Sequence, residues 1–261
     1  MNRAPLAVAA LSVLALAVGV VVTQTRDRGT DADGTTAFAL SEADRPAFGA
    51  EIRAYLLENP QVLMEAIAVM EQRDAAAQAM GDQQLLIDNA DALYNDPTAW
   101  VGGNPEGDIT IVEFMDYRCG YCKRAFPEVA ELLARDGNIR LIVKEFPILG
   151  DASVLASRFA LATRQLAGDA AYETVHDALM VMRDDVTEGS LRAVATEAGL
   201  DSDAILAAMN APEVSAIITA NRALGQRLNI NGTPSFVFGD QMVRGYVPLD
   251  AMEQIVAGLR D

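Results

Sequence analysis

The sequence predicts an α/β fold class, a domain with an inserted helical region that follows an N-terminal helical segment, and three observations support this. Two short apolar runs, ITIVEFM at 109–115 and IRLIVKE at 139–145, flank a stretch of helical periodicity. Residues 152–228 then repeat that periodicity with no strand pattern between. After Gly232 the chain returns to strand character in SFVFG and MVRG before a last helical run.

The 261 residues are 51% hydrophobic, enough to bury one large domain or a medium domain with an appendage. A net charge of -17 and a pI near 4.4 argue against nucleic acid, or an anionic membrane surface, as a main partner, since both repel an acidic chain at long range. Arg3, an almost unbroken apolar run from Leu6 to Val22, and then Arg26, Asp27 and Arg28 read as an export leader. The run exceeds a usual cleaved leader and approaches the length of a span, so residues 1–28 are either a signal peptide or a retained anchor. Either one places the remainder in the periplasm or another compartment outside the cytoplasm, where disulfide chemistry persists.

Residues 26–37 are polar, glycine-containing and aperiodic, as a linker is. From Phe48, the residues Phe48, Ile52, Tyr55 and Leu56 share one helical face until Asn59-Pro60 breaks the register. A second helix starts there, with Leu63, Ile67 and Met70 as a narrow stripe flanked by Glu65, Glu71, Gln72 and Arg73, and helical composition runs on toward Ala92. Residues 29–92 therefore hold the linker and a helical segment that either packs on its own domain or forms an oligomerisation stalk. Asn95-Asp96-Pro97 and Gly102-Gly103-Asn104-Pro105 mark a boundary, and 93–261 is the main domain. In it the spacing predicts a strand at 109–115, a helix from Cys119 to about Arg135 and a strand at 139–145. Four or five helices follow in an insertion of about 151–228, with breaks near Gly168, Gly189, Gly199 and Asn210-Ala211-Pro212. The hairpin turns at Gly239-Asp240, and the last helix spans about Pro248 to Leu259. Strand, helix, strand, helical insertion, hairpin and helix is a thioredoxin-like order.

The chain has two cysteines, in Cys119-Gly120-Tyr121-Cys122. Helical geometry sets the two Cα atoms ~5 Å apart, within disulfide range. So short a loop constrains an unfolded chain little, which leaves a purely structural staple poorly motivated. Unpaired amides and the helix dipole stabilise a thiolate on Cys119, making it the expected nucleophile, and Arg118, Lys123 and Arg124 add screened positive charge. Cys122, one turn deeper, is the expected resolving thiol. A closed zinc site needs four ligands, and His176 is the one other soft candidate. Two thiolates also suit copper(I), so a copper-binding or copper-sequestering role stands as the alternative. No cofactor is called for.

Glu113, six residues before Cys119, interrupts an apolar strand expected at the centre of the sheet. It is either a buried acid exchanging a proton with Cys122, its pKa raised by burial, or a strand-end carboxylate pointing to water. Thr233-Pro234 opens the strand after the insertion, and general frequencies give a trans bond. His176 reads as a packed or surface histidine, and Met180 and Met182 as core filling or an adaptable apolar surface. Lys144 either pairs near Glu113 or is solvated.

The run GDITIVEFMDYRCGYCKRAFPE, the helical insertion and GTPSFVFG together resemble the DsbA-like thiol–disulfide oxidoreductases over about residues 93–261. LLENPQVLMEAIAVMEQR resembles the N-terminal segment of bacterial ScsC, the suppressor-of-copper-sensitivity group. The resemblance implies catalysis by Cys119, Cys122 and Glu113, with Gly120, Tyr121, Thr233 and Pro234 facing substrate. It implies a cis Pro234, and a Thr233 backbone that pairs with an extended client. It implies unfolded or mispaired exported proteins as clients, a membrane thiol redox partner and a homo-oligomer. Gly120-Tyr121 is the dipeptide of isomerase-like members, whereas dedicated oxidases more often carry Pro-His, and threonine before the proline points the same way.

Overall fold

The computed structural model describes residues 40–261. The leader expected at 1–28 and the linker at 26–37 lie outside the described residues. The chain divides into two compact units, one ending at Glu65 and one from Ala66 to Asp261. Helix α1 (Arg45–Glu58) has proline in its first turn, where a missing N–H is harmless, and ends at Asn59, whose amide bonds the Tyr55 carbonyl. Its Phe48, Ile52 and Tyr55 are exposed. Helix α2 (Gln61–Asp88) follows, carrying exposed Leu63, Ile67 and Met70 and burying only Leu86.

The second unit continues through α3 (Ala90–Tyr94), β1 (Trp100–Gly103), β2 (Ile109–Met115), α4 (Gly120–Asp136) and β3 (Ile139–Glu145). The insertion is α5 (Asp151–Ala167), α6 (Asp169–Val181), α7 (Glu188–Glu197), α8 (Ser202–Ala208) and α9 (Pro212–Arg227). Strands β4 (Ser235–Phe238) and β5 (Gln241–Arg244) and helix α10 (Leu249–Gly258) complete it. The five strands lie in the order β1-β3-β2-β4-β5, with β2 parallel to β3 and antiparallel to β4. This is the thioredoxin-like sheet with a helical insertion after β3. Two elements differ from the sequence reading. Residues 100–103 form an edge strand paired antiparallel to β3, Trp100 opposite Val143, where the glycines read as a boundary. Ala90–Tyr94 is a separate short helix, which buries Leu93.

Strand alternation divides the core between the two faces of the sheet. Ile111, Met115, Val143 and Phe236 pack toward α4, α5, α6 and α10, whereas Val112, Phe114, Ile142 and Val237 pack with Leu86, Leu93, Leu224 and Leu228. Register sets Glu113 opposite Val143, so Glu113 and Glu145 lie on the α4 face and Lys144 on the other. Helix α4 buries Cys122, Ala125, Val129 and Leu132, one face at helical spacing, and ends at Gly137, whose φ of 70° is a left-handed cap.

Candidate active site

Cys119 is the N-cap of α4, with β-region backbone at φ -78° and ψ 116°. Its amide bonds the Asp116 carbonyl at 3.0 Å, and its own carbonyl accepts the Lys123 amide at 3.1 Å. Asp116 is buried and holds the turn from both sides, accepting Arg118 N at 2.8 Å on one oxygen and Ile148 N and Leu149 N at 2.9 and 3.1 Å on the other. Both cysteines are free thiols; Cys119 retains 7% exposure and Cys122 none. The Thr233–Pro234 bond is cis, and the Cys119 thiol donates to the Thr233 carbonyl at 3.1 Å.

The Cys119 pKa is lowered from 9.0 to about 5. The Cys122 thiol, which can donate to the anion, is the largest cause; burial opposes it, and Thr233 and the Cys122 and Tyr121 amides add to the lowering. The Thr233 hydroxyl is buried with no hydrogen-bond partner among the described residues, a donor free for that anion. Cys122 is pushed far up, first by its bond to Cys119, then by burial and by the Glu113 charge. Glu113 is buried, with Oε1 lacking any hydrogen-bond partner among the described residues. Its pKa rises from 4.5 to about 8, mainly through desolvation and then through the charge on Cys119. The strand-end alternative pointing to water therefore does not hold for Glu113.

Cys119, Cys122, Glu113, Thr233 and Pro234 are thus gathered at one end of β2, whereas Gly120 and Tyr121 face outward, Tyr121 being 60% exposed. The three flanking cations are engaged elsewhere. Arg118 lies 3.7 Å from Asp185, Lys123 donates to the Leu179 carbonyl at 3.0 Å and to that of Met182, and Arg124 lies over the Tyr246 ring at 4.4 Å. None is among the causes of the Cys119 shift. Lys144 is neither near Glu113 nor solvated. Its position one residue after Val143 turns it to the opposite face, where it is buried and bonds Asp96 at 2.6 Å and the Ala92 carbonyl at 2.8 Å.

A second buried cluster went unread in the sequence. Glu145 accepts Tyr117 and Tyr172 hydroxyls on Oε1 and the Ser157 hydroxyl on Oε2, each at 2.7 Å. Burial raises its pKa to about 7 while these donors lower it. His176 is packed among Trp100, Tyr117, Phe126 and Tyr172 with Nδ1 3.0 Å from the Tyr117 hydroxyl, and burial lowers its pKa to about 4. Of the two alternatives for the methionines, core filling holds for Met180, whereas Met182 is partly buried against the core. The signal that found Glu113, a carboxylate interrupting an apolar run, is weaker at Glu145, which closes IRLIVKE after Lys144, where a charged residue reads as solvated. Among the described residues no group of three or more His, Cys, Asp and Glu side chains is placed to hold a metal ion.

The model of the DSBA-like thioredoxin domain matches residues 110–257, more than half of the chain. The chain belongs to the DsbA-like thioredoxin family. The N-terminal domain of the copper resistance protein ScsC matches residues 44–77 of this DsbA-like chain, which covers α1 and part of α2. A thioredoxin-like oxidoreductase from Silicibacter pomeroyi is 48% identical over 65% of the chain and 96% of its own, with a TM-score of 0.62. Proteus mirabilis ScsC in a transitional conformation is 28% identical over 84% of this chain and 96% of its own, TM-score 0.61. The thiol-disulfide exchange protein alpha-DsbA2 from Wolbachia pipientis is 28% identical over 70% and 98%, TM-score 0.65. Na(+)/H(+) antiporter NhaA 3 from Salinispora tropica is 27% identical over 156 residues, 60% of this chain. The match takes in 24% of that antiporter, so the chain spans about a quarter of the curated relatives' length. Among the described residues no helix is long and apolar enough to cross a membrane.

Proposed function

We propose that the protein is an exported thiol–disulfide oxidoreductase and isomerase acting on unfolded or mispaired proteins through Cys119-Gly120-Tyr121-Cys122. The observation that carries this reading is the sulfur of Cys119, acidic to about pKa 5 at a helix start, facing the Thr233 carbonyl beside a cis proline, with Cys122 sealed behind it. The Cys119 thiolate attacks one sulfur of a client disulfide, forming a mixed disulfide and releasing the other client sulfur as a thiolate. A different client thiolate, either free from the start or freed when the released thiolate attacks another client disulfide, then attacks the client sulfur of the mixed disulfide, which expels the Cys119 thiolate and leaves the client in a new pairing with no net redox change. Alternatively Cys122 attacks Cys119, the client leaves with both sulfurs reduced, and the protein is left with the Cys119–Cys122 disulfide. The Cys122 attack requires loss of a proton, for which Glu113 is the adjacent acceptor. In the mixed disulfide Cys119 carries no charge, so the smaller of the two causes that raise the Glu113 pKa is gone and the group moves toward the carboxylate form that accepts the proton, while burial still opposes it.

Gly120-Tyr121 and Thr233 favour isomerisation over dedicated oxidation, and a membrane thiol partner would reset the pair. The exposed stripe of Leu63, Ile67 and Met70 within the ScsC-like segment supports assembly with further copies of the chain. Reactivation of scrambled ribonuclease tests the reading: wild type restores activity and Cys119→Ala does not. Inert wild type, or active Cys119→Ala, rejects it. The ScsC-type match also supports a second reading, copper(I) held by the two thiolates. A strongly raised Cys122 pKa opposes it, because the second ligand must ionise while buried. Anaerobic copper(I) titration separates the two, since a carrier binds the metal tightly and leaves a model disulfide untouched.

A further inference from the structure

One side chain outside the cysteine motif packs on α4 beside the thiols, while the residue before it is bonded to Pro234. Gly245, at φ +99°, turns the chain after β5 in a conformation suited to glycine, and its amide bonds the Pro234 carbonyl at 2.9 Å. The next residue, Tyr246, is directed onto α4. Its ring lies 6.1 Å from Tyr121 and beneath the Arg124 guanidinium at 4.4 Å, and its hydroxyl donates to the Glu128 carboxylate at 2.6 Å. Glu128 also accepts the Leu249 amide at 3.1 Å, tying the start of α10 to the same point. Tyr121, Arg124 and Glu128 are spaced along one helical face, so three residues of α4 address a single residue of the following loop. The contacts run from Cys119 to Thr233, through Pro234 and Gly245 to Tyr246, and back to Tyr121 beside Cys119. They connect the Thr233–Pro234 segment to α4 beside the thiols.

The geometry points to Tyr246 as a positioning residue that backs Tyr121 and fixes its spacing from the Thr233–Pro234 wall, selecting extended polypeptide disulfides over small ones. The inference rests on the exchange activity proposed above. Tyr121 is the exposed surface that a client chain meets, and an exposed aromatic held against a second ring, itself fixed under the Arg124 guanidinium, presents its face in one orientation. Tyr246 is not among the groups that set the acidity of Cys119, so its loss leaves the chemistry with a small disulfide intact.

The experiment compares exchange by the full chain with a disulfide-bonded peptide flanked by apolar residues and with hydroxyethyl disulfide. Tyr246→Ala is expected to raise KM for the peptide about three- to tenfold, the effect of losing one aromatic and one cation–π contact, with kcat for the peptide and the rate with hydroxyethyl disulfide unchanged. Tyr246→Phe keeps the ring and should stay within about twofold of wild type. Tyr121→Ala, at an exposed position that leaves folding intact, should raise the peptide KM alike and add little in the Tyr246→Ala background. An unchanged peptide KM in Tyr246→Ala, equal losses with both disulfides, or additive effects of the two substitutions overturns the inference and leaves the exchange activity standing. Should Tyr246→Ala not fold, Tyr246→Leu carries the same expectation. Wild type inert toward both disulfides overturns the exchange reading and this inference with it.

Discussion

Two carboxylates lie buried on the same face of the same sheet, and they are handled differently. Glu113 in β2 is sealed with one oxygen unpartnered, and its proton is held by burial and by the neighbouring Cys119 charge, to about pKa 8. Glu145 at the end of β3 is equally sealed, yet three hydroxyls satisfy it and draw it back to about 7. No cation is among the causes of either shift. Desolvation is therefore common to both, and the partners differ. An unspent oxygen beside a reactive sulfur suits proton transfer, whereas a saturated carboxylate joining β3 to α5, α6 and the turn before Cys119 suits architecture.

Substitutions at the two carboxylates test that contrast, and Glu145 should respond most. Glu145→Ala strands three buried hydroxyls and leaves a cavity, so denaturant unfolding should show a loss of about 4 kcal/mol. A loss below about 1 kcal/mol would mean the network contributes little. Glu113→Gln should act in the opposite direction. The folded carboxyl holds its proton above its ordinary 4.5, so its contribution to stability is complete below that pH and declines as pH rises toward about 8. A neutral amide removes this decline. The variant's stability should vary less between those limits than that of wild type, and release of the mixed disulfide by Cys122 should slow about a hundredfold. A destabilised Glu113→Gln with wild-type release kinetics would place Glu113 with Glu145 as architecture. Tyr117→Phe removes one of the three donors and should cost about 1 kcal/mol, with exchange rates unchanged. A large loss of exchange in Tyr117→Phe would instead connect the second cluster to the chemistry.

Local patterns made much of the domain readable. ITIVEFM and IRLIVKE become strands over the residues expected, and α4 begins at the cysteine because its periodicity and capping position are written within a few residues. Long-range pairing decided the rest. WVGG has two glycines and only two apolar residues, and it is a strand because β3 offers it an edge. Lys144 lies away from Glu113 because one residue of strand parity, set by the pairing with β2, exchanges the face of the cysteines for the face of Asp96. The cysteines and Glu113 were legible through chemistry concentrated in ten consecutive positions, 113–122. Tyr246 was not, since its relation to Tyr121 arises only where the loop after β5 meets α4.

Thiol exchange at this site depends most on the acidity of the first sulfur, and ultraviolet absorbance of the thiolate measures it directly when the reduced, folded protein is titrated from acid to alkaline pH. The predicted midpoint is about 5, moving upward in Cys122→Ala because the bond from Cys122 is the largest cause of the lowering. A midpoint at the ordinary 9.0, indifferent to Cys122, would contradict the account.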